Sequence, residues 1–387
     1  MPQIDRTGEL AQLPDEVGAL EVSTLAFVVG TRPEIIKMAP VIRECEKQSI
    51  DELIIHTGQH YSYDMDKIFF EELELRDADY ALHVGSGTDA EQTGKILVGV
   101  ERALIKEQPD VVLVEGDTNS VFASAFAATK LHIEVGHVEA GLRSYDRFMP
   151  EEINRVLTDH ISDFLFAPTA KAEANLLSEG IPSNKISVTG NTIVDAVRQN
   201  LKLAQKRASI LEELNLDERN YFLTTAHRRE NVDSKARLGG ILKGLKALHD
   251  EFDAPIIFPM HPRTKNRVAE FNLALDGVVS TPPIGFLEFL LLEANAKLII
   301  TDSGGVQEEA CTLKVPCITV RDNTERPETV AVHSNLVVGT DADKIVTGAK
   351  AMLNKPRNWD NPFGNGDSGQ RIVAVLKNAF EACGVDL

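Results

Sequence analysis

Three acidic residues in the first half of the chain have the positions expected of proton-transfer groups. Asp117 and Glu139 each follow an apolar run, VVLVEG and HIEVGHV, and Glu151 follows Pro150 at the start of MPEEINRVL. Buried carboxylates that lie close together acquire the raised pKa values that general acid–base catalysis requires. Two structural alternatives are a helix cap at Asp117 and an ion pair between Glu151 and Arg155. Glycines flank Asp117 and Glu139, which favours the catalytic interpretation for these two.

A turn at residues 30–34, GTRPE, is suited to binding an anion. It follows an apolar run, and Thr31 with Glu34 matches a capping box at the start of a helix. The first turn of a helix presents unpaired backbone N–H groups, and Arg32 and Lys37 add positive charge beside them. A well-capped helix with two solvated cations is the structural alternative. Capping alone does not require an arginine beside the glycine, so the sequence favours anion binding.

A second turn, TDSGG at residues 301–305, joins an apolar run to the helical segment VQEEACTL. Its residues Ser303, Gly304 and Gly305 would let a pyrophosphate approach the backbone at a helix N-terminus. The chain contains neither the dinucleotide fingerprint GxGxxG nor the P-loop motif. Glu309 lies one helical turn further on, where it either binds both hydroxyls of a ribose or balances the helix dipole. The sequence leaves both roles open.

A histidine and an arginine in the second half of the chain are candidate phosphate ligands. His227, in HRREN, follows an apolar run and stands beside two arginines, although a lone histidine is more often structural. Arg326, in RDNTERPE, could bind phosphate or ribose. The ten histidines form no HExxH motif, and the four cysteines have no zinc spacing. We therefore predict neither a catalytic metal nor a nicotinamide cofactor.

These residues must be positioned by a fold in which short apolar runs alternate with longer amphipathic segments, which predicts parallel sheets covered by helices. Six runs lie between residues 24 and 190 and five between 221 and 339, so the fold class is α/β with two Rossmann-like, doubly wound domains. Ligands bind at the carboxyl ends of such strands, so the candidate acids should share one crevice. The predicted parts are a flexible N-terminal extension at 1–22, a first domain at 23–192, a second domain at 193–367 and a C-terminal helix at 368–387.

Composition and charge exclude several classes of partner. The 387 residues carry a net charge of −19, which argues against affinity for nucleic acid or anionic membranes, since both favour a basic surface. The apolar stretches are too short to span a bilayer. The first residues lack the basic start and apolar core of a signal peptide. We expect a soluble, cytoplasmic protein with reduced cysteines.

Seven motifs together resemble those of the non-hydrolysing UDP-N-acetylglucosamine 2-epimerases, in the order found in that family and from about residue 24 to the C-terminus. The motifs are GTRPEIIKMAP (30–40), GDT (116–118), GHVEAGLRS (136–144), PEEINR (150–155), HRREN (227–231), DSGGVQEE (302–309) and RDNTERPE (321–328). The resemblance implies a GT-B-like fold with the active site in the cleft between the domains and the C-terminal helix packed back on the first domain. It implies reversible conversion of UDP-GlcNAc to UDP-ManNAc, through elimination of UDP to a 2-acetamidoglucal and its re-addition. A homodimer and a role in cell-envelope polysaccharide biosynthesis are further expectations of the family.

The resemblance also implies roles for individual residues. Those that match the family's catalytic groups are Asp117, Glu139, Glu151 and His227. Those that match its ligands for the substrate and UDP are Arg32, Lys37, Asp117, Glu139, His227, Ile284, Phe289, Ser303, Gly304, Gly305, Glu309 and Arg326. Ile284 stands where some members have a polar residue, so only its backbone could contribute. Base and acid are interchangeable among the carboxylates at this stage.

Several alternatives stay open. Gln59 and His60, in TGQHY, match the segment from which bacterial members form a second, activating UDP-GlcNAc site. The histidine region of that site reads MHPRT at 260–264, where many bacterial members have a different loop, so such activation is left undecided. The alternative activities are epimerisation of a related UDP-diacetamido-uronic acid, hydrolysis that releases free ManNAc, glycosyl transfer by a GT-B enzyme, and non-catalytic sensing of a UDP-sugar.

Overall fold

The computed structural model describes residues 24–59, 69–207 and 209–383. Two parallel β-sheets with interleaved helices make up this part of the chain, and the predicted α/β fold class is confirmed. The predicted extension at 1–22 and the candidate residue His60 lie outside the described residues. No described helix is both long and apolar enough to cross a lipid bilayer.

The first sheet has seven strands in the order β3-β2-β1-β4-β5-β6-β7, and its pairings are parallel. The strands are β1 (Thr24–Val29), β2 (Asp51–His56), β3 (Tyr80–Ala81), β4 (Val111–Glu115), β5 (Glu134–Val138), β6 (Phe164–Ala167) and β7 (Ile186–Val188). The α-helices of this half that lie wholly within the described residues are α1 (Arg32–Gln48), α2 (Asp89–Glu107), α3 (Asn119–Lys130), α4 (Pro150–Ile161), α5 (Ala170–Ser178) and α6 (Thr192–Arg207). The central strands β1 and β4 are almost entirely buried, as expected of strands with two apolar faces. Glu115, the last residue of β4, is ionisable but is also buried.

The second sheet has six strands in the order β10-β9-β8-β11-β12-β13, again with parallel pairings. The strands are β8 (Phe222–Thr225), β9 (Ile256–Pro259), β10 (Val278–Thr281), β11 (Leu298–Thr301), β12 (Cys317–Thr319) and β13 (Asn335–Val337). The remaining helices are α7 (Ile210–Glu213), α8 (Arg229–Val232), α9 (Lys235–Phe252), α10 (Pro262–Glu270), α11 (Phe286–Asn295), α12 (Gly304–Thr312), α13 (Pro327–Ala331), α14 (Ala342–Leu353) and α15 (Ser368–Cys383). The domain boundary predicted at 192–193 falls at the start of α6, which leads from the first sheet toward the second.

The outermost strand on one side of each sheet was not predicted from the sequence. These strands, β3 and β10, carry side chains that are half-buried or exposed. An edge strand need not be apolar on both faces, so these segments lack the continuous apolar run that identified the inner strands. The other eleven strands coincide with the eleven apolar runs predicted from the sequence.

The C-terminal helix α15 packs against the first domain. Its residues Ile372 and Leu376 belong to the same buried apolar cluster as Met38 of α1. At its start the two helices approach closely, since a Cβ atom at Gly369 would lie 2.8 Å from the backbone oxygen of Pro40. The chain therefore returns to its first domain after it has built the second.

Candidate active site

A cavity of about 340 Å³ lies between the two domains and is here called the interdomain cleft. The first domain lines it with the loops after β1, β4 and β5, and the second with the turn that begins α12 and the loop before α13. These loops follow the carboxyl ends of parallel strands, where doubly wound sheets bind ligands. The predicted site residues that line the cleft are Lys37, Asp117, Glu139, Glu151, Ser303, Gly304, Gly305 and Arg326.

Asp117 lies in the loop after β4, with its side chain half-buried in the wall of the cleft. Its carboxylate contacts the guanidinium of Arg155 on α4, and its backbone oxygen accepts a hydrogen bond from the Asn154 amide at 3.0 Å. The helix cap at this point is Thr118, whose hydroxyl accepts the Val121 N–H at 3.4 Å. The capping alternative for Asp117 is therefore wrong, and its carboxylate is available to the cleft.

Glu151 is exposed in the first turn of α4 and lines the cleft. The ion pair between Glu151 and Arg155 was the structural alternative, but Arg155 pairs with Glu152 instead, at 3.1 Å. Glu152 is buried and accepts hydrogen bonds from the backbone N–H groups of Ser144 and Tyr145, both at 2.9 Å. Glu152 thus fixes the loop that precedes α4, and Glu151 is left to face the cleft.

Glu139 follows β5 and lies buried between cations from both domains. Its Oε2 atom contacts the ammonium of Lys37, and its Oε1 atom lies 3.4 Å from Nη2 of Arg326. The side-chain amide of Asn191 donates to Oε2 at 3.2 Å. Burial alone would raise the pKa of Glu139, but Lys37 and Arg326 outweigh it and lower the pKa to about 2. The residue has a left-handed backbone with φ of 70°, a strained conformation that is common at functional sites.

Two further carboxylates complete this cluster, and neither was singled out from the sequence. Glu115 lies with Oε1 3.0 Å from the Lys37 Nζ atom. Glu308, on α12, accepts a hydrogen bond from Nε of Arg326 at 2.6 Å. Burial raises the pKa of both carboxyls, and the neighbouring cations only partly oppose it. Glu115 could have been found from the sequence, because it is the one charged residue in an otherwise apolar strand.

Glu34 occupies the start of α1, where the sequence predicted an anion site. Its carboxylate accepts hydrogen bonds from the N–H of Gly30 at 2.6 Å and from the hydroxyl of Thr31 at 3.0 Å. The N-cap residue is Thr31, and its side chain makes no capping hydrogen bond, so the predicted capping box does not form. Burial raises the pKa of Glu34 to about 7, although these hydrogen bonds oppose the shift. An acid therefore already engages the backbone at this helix start.

The turn at 303–305 provides the more open helix start. The Ser303 hydroxyl accepts the Val306 N–H at 3.5 Å, and the first turn of α12 contains no acidic residue. A Cβ atom at Gly305 would meet only the Ser303 hydroxyl, at 4.0 Å, so the space above this turn is open. Unpaired N–H groups at such a position bind phosphate oxygens.

Glu309 lies one turn into α12 and is buried against Glu293 of α11. Burial raises the pKa of Glu309 to about 7, and a hydrogen bond from Glu293 opposes the shift. Burial and the charge of Glu309 raise the pKa of Glu293 well above its ordinary value. Two buried carboxyl groups in contact share one proton. Glu309 is therefore a buried and paired residue, unlike the solvated glutamate that would simply balance a helix dipole.

His227 lies at the carboxyl end of β8. Its backbone N–H donates to both carboxylate oxygens of Asp302, at 3.0 and 3.1 Å, and its ring Nδ1 lies 3.3 Å from Oδ1 of that residue. Its side chain is exposed, and the neighbouring Arg228 lines the cleft cavity. The loop predicted from the sequence therefore reaches the cleft through Arg228, and the role of His227 as a phosphate ligand stays a prediction.

Besides His227 and Glu309, three predicted ligands, Arg32, Ile284 and Phe289, do not line the cleft cavity. The guanidinium carbon of Arg32 lies 4.2 Å from the centroid of the Phe69 ring, a cation–π contact. Ile284 and Phe289 are half-buried and pack against the apolar core. Their roles as ligands stay predictions.

A second cavity of about 700 Å³ adjoins the cleft, and both are lined by Asp117, Glu151 and Arg228. Gln59 lines it and is buried, with its side-chain oxygen accepting the backbone N–H and the hydroxyl of Ser120 at 3.1 and 2.7 Å. The role of Gln59 in a second nucleotide-sugar site stays a prediction.

Within the described ranges, no three His, Cys, Asp or Glu side chains are grouped to hold a metal ion. The expected absence of a catalytic metal and of a nicotinamide cofactor stays a prediction.

Comparison with known proteins identifies similar chains over almost the whole sequence. The family described as UDP-N-acetylglucosamine 2-epimerase matches residues 43–377. The UDP-N-acetylglucosamine 2-epimerase of Methanocaldococcus jannaschii is 60% identical over 361 residues, which cover 91% of this chain and 98% of that protein. The UDP-2,3-diacetamido-2,3-dideoxy-D-glucuronate 2-epimerase of Pseudomonas aeruginosa is 41% identical over 353 residues, which cover 90% of this chain and 98% of that protein.

A solved structure shows the same fold. The crystal structure of M. jannaschii UDP-GlcNAc 2-epimerase in complex with UDP-GlcNAc and UDP is similar with a TM-score of 0.84 and 59% sequence identity. The similarity covers 92% of this chain and 99% of that chain. The predicted two-domain, GT-B-like arrangement is therefore confirmed.

Proposed function

The chain belongs to the UDP-N-acetylglucosamine 2-epimerase family, and from this premise we propose that it interconverts UDP-GlcNAc and UDP-ManNAc. It is an isomerase. The observation that carries the proposal is that Asp117 and Glu139 line the same cleft as the glycine turn at 303–305. Such a cleft combines an anion site with proton-transfer groups. This suits a substrate that gives up a nucleoside diphosphate and a proton together.

The diphosphate is bound mainly by the second domain. The open helix start at 303–305 offers backbone N–H groups, and Arg228 lines the same cavity. Lys37 and Arg326 place two more cations at the cleft, where they stabilise negative charge as it develops on the departing UDP. Glu309, one turn along α12, is proposed to accept the hydroxyls of the ribose.

The proposed reaction begins when a carboxylate removes the proton from carbon 2 of the sugar. The C–H electron pair forms a double bond between carbons 1 and 2. The bond from carbon 1 to the diphosphate oxygen breaks with its electron pair, which yields UDP and 2-acetamidoglucal. Re-addition of the UDP oxygen to carbon 1 and protonation of carbon 2 on the other face give the epimer.

Asp117, Glu139 and Glu151 are the candidate acid and base for these two proton transfers. A hydrogen on carbon 2 is weakly acidic, so its removal requires a carboxylate that has lost most of its hydration. Glu139 is buried and ionised, Asp117 is half-buried and Glu151 is exposed, and all three line the same cavity. Two of these acids are proposed to serve opposite faces of the same carbon, with base and acid exchanging roles in the reverse direction.

Two finer expectations of the family belong to the same proposal. The 700 Å³ cavity lined by Gln59 is proposed to take a second nucleotide-sugar that activates the enzyme. A homodimer is proposed as the assembly. Neither is needed for the chemistry of the cleft.

The identity of the product tests the proposal. The purified chain is incubated with UDP-GlcNAc, and the anomeric proton signals are followed by NMR. UDP-ManNAc should appear until a constant ratio of the two UDP-sugars is reached, and the same ratio should be reached from UDP-ManNAc. A matched incubation with the UDP-diacetamido-uronic acid of the P. aeruginosa relative measures which sugar is preferred.

Other products would identify the alternatives. Accumulation of free ManNAc with UDP would show a hydrolysing enzyme. Turnover of the diacetamido-uronic acid but not of UDP-GlcNAc would overturn the proposed substrate while keeping the reaction type. Turnover of neither would contradict the proposal.

A further inference from the structure

Glu115 is a buried carboxyl of the cleft that the proposed mechanism does not use. It ends β4, is 1% exposed and lines the cleft beside Lys37 and Glu139. Its Oε1 atom lies 3.0 Å from the ammonium of Lys37, which also contacts the carboxylate of Glu139. Two ionised carboxylates beside one ammonium repel each other, whereas a protonated carboxyl can donate a hydrogen bond to an ionised one.

The charges of the cluster indicate how many protons it holds. Three buried carboxyls, Glu115, Glu139 and Glu308, share two cations, Lys37 and Arg326. An unpaired charge inside a protein is costly, so a buried group with no partner of its own takes up a proton instead. One proton bound to a carboxyl would make the five side chains neutral overall.

The contacts of each carboxyl decide where that proton lies. Glu139 receives Lys37, Arg326 and the amide of Asn191, all of which favour its ionised form. Among the described residues, Lys37 is the one cation that pairs with Glu115, and Lys37 is shared with Glu139. Burial raises the pKa of Glu115 well above its ordinary value, against the attraction of Lys37, which agrees with this assignment.

The other carboxyl groups that face Glu115 also favour its protonated form. From α1 it faces Glu34 in addition to Lys37, and from the loop after β5 it faces Glu139. Both carboxyls raise the pKa of Glu115 by repulsion. Across the cleft, the charges of Glu308 and Arg326 act on Lys37 and Glu139.

We propose, on the basis of the proposed function, that Glu115 is a positioning residue that stays protonated during catalysis and donates a hydrogen bond to the carboxylate of Glu139. This bond holds one Glu139 oxygen beside β4 and directs the other toward the substrate. It also allows Lys37 to serve the diphosphate without leaving two adjacent carboxylates ionised. Glu115 itself neither gains nor loses a proton in the reaction.

Two substitutions at Glu115 separate this role from its alternatives. Glu115→Gln keeps the size and a hydrogen-bond donor, so kcat should stay within about threefold of the wild-type value. Glu115→Met keeps the size but removes the donor, and kcat should fall roughly 10- to 100-fold, the range associated with a hydrogen bond to a charged group, with KM little changed. The exposed Glu134, at the other end of the neighbouring strand, provides the control Glu134→Gln, which should leave both constants unchanged.

The pH dependence supplies a second activity measurement. In the wild type, kcat should fall at high pH as Glu115 ionises beside Glu139. The side chain of Glu115→Gln cannot ionise, so in this variant the fall of kcat at high pH should be absent or displaced. If Glu115→Gln lowers kcat as much as Glu115→Met does, Glu115 works as an ionised carboxylate and the proposal is wrong. If Glu115→Met has the wild-type kcat, Glu115 does not position Glu139 and the proposal is likewise wrong.

Infrared difference spectroscopy tests the proton without any turnover. The spectrum of the wild type minus that of Glu115→Gln, at neutral pH, should contain the carbonyl band of a protonated carboxylic acid. A carboxylate band in its place would overturn the proposal, even if the Met variant failed to fold. Because this measurement needs no substrate, its result stands apart from any failure of the proposed epimerase activity.

Discussion

Asp117 and Glu139, the two acids most strongly favoured as catalytic by the sequence, have different surroundings in the cleft. Glu139 is buried between Lys37 and Arg326, and its pKa of about 2 means that it stays ionised throughout the neutral range. Asp117 is half-buried and contacts one cation, Arg155. A pair of unlike acids is what a reaction with one proton removal and one proton return requires.

Asp117→Asn should lower the rate of exchange at carbon 2 roughly 100- to 10,000-fold, the contribution of a general acid or base. Asparagine has nearly the same shape and cannot take the proton, so the affinity for UDP should change little. The rate is measured by NMR and the affinity by calorimetry. The exposed Asp51→Asn serves as the control. An unfolded Asp117 variant would show a structural residue, and full activity would remove Asp117 from the mechanism.

At the scale of residues, the sequence could predict positions but not pairings. Asp117 and Glu139 were predictable because they follow the ends of buried strands. The contact of Arg326 with Glu139 joins residues that are 187 positions apart, and it exists only because the two domains meet. Glu308 was missed because its hydrogen-bond partners, Arg326 and Asn191, are 18 and 117 positions away, so its own helix does not indicate its role.

At the scale of elements, the two strand-to-helix turns differ in what they can bind. The start of α1 is engaged by Glu34, which accepts the Gly30 N–H, whereas the start of α12 has no acid in its first turn. An acid at a helix N-terminus competes with a bound anion for the same N–H groups and field. This explains why the second domain is better suited to hold the diphosphate, although both turns looked alike in the sequence.

Gly305→Ala tests the role of the α12 turn. A methyl group there meets no other atom closer than 4.0 Å, so the fold should be kept, and alanine should even favour the helix. The methyl group would, however, occupy space that the diphosphate needs, so UDP affinity should fall about 10- to 100-fold. Thermal unfolding and calorimetry measure the two effects.

Gly94→Ala is the matched control for that substitution. Gly94 lies exposed inside α2, where an added methyl group would have no atom within 4 Å, and it is not part of the cleft lining. The variant should gain a similar helix stabilisation and bind UDP as the wild type does. Equal UDP affinity in both variants would show that the α12 turn does not hold the diphosphate.

The buried pair Glu293 and Glu309, on adjacent helices, makes stability depend on pH. Both carboxyls have a raised pKa in the folded chain, to about 7 for Glu309, and would ionise near 4.5 when unfolded. Between the unfolded and the folded pKa, the folded state therefore binds more protons than the unfolded state. The free energy of unfolding falls as pH rises through this range, by about 1.4 kcal/mol for each unit by which the two pKa values differ. Glu293→Gln should reduce this fall, stabilising the protein near pH 8 more than near pH 5.

Chemical denaturation at several pH values measures the effect at Glu293. Glu101→Gln, an exposed substitution on α2, should reproduce the wild-type dependence on pH. A Glu293→Gln variant with the same dependence as the wild type would mean that the pair ionises normally in the folded state.

At the same scale, the sequence predicted the inner strands and missed the edges. Continuous apolar runs identify strands buried on both faces, such as β1 and β4. The edge strands β3 and β10 have partly exposed side chains, and their pairing is fixed by the neighbouring strand rather than by their own composition.

At the scale of the whole molecule, the two domains are joined by more than the cleft. The C-terminal helix α15 follows the second domain but is buried with Met38 in the core of the first. The N–H of Gly369 donates to Asp195 of α6 at 3.1 Å, which ties the start of α15 to the segment that leads out of the first sheet. Any change in the angle between the domains is therefore limited to what these contacts allow.

Gly369→Val tests how strongly this return stabilises the molecule. A Cβ atom at this position would meet backbone atoms of Pro40 at 2.8 and 3.0 Å, so the helix must move. We expect the free energy of unfolding to fall by roughly 1–3 kcal/mol, as for other overpacked sites. Gln370→Val, at the exposed neighbouring position, should change it little. An unaltered Gly369→Val protein would show that α15 is not tightly held.

We propose that the acids of the cleft move a proton at carbon 2 while UDP leaves and returns. Incubation with UDP-GlcNAc in heavy water, followed by NMR of carbon 2, tests this proton transfer. We predict UDP-ManNAc with deuterium at carbon 2, and in time the same label in the remaining UDP-GlcNAc. UDP-ManNAc that keeps its original hydrogen at carbon 2 through repeated turnovers would contradict the claim.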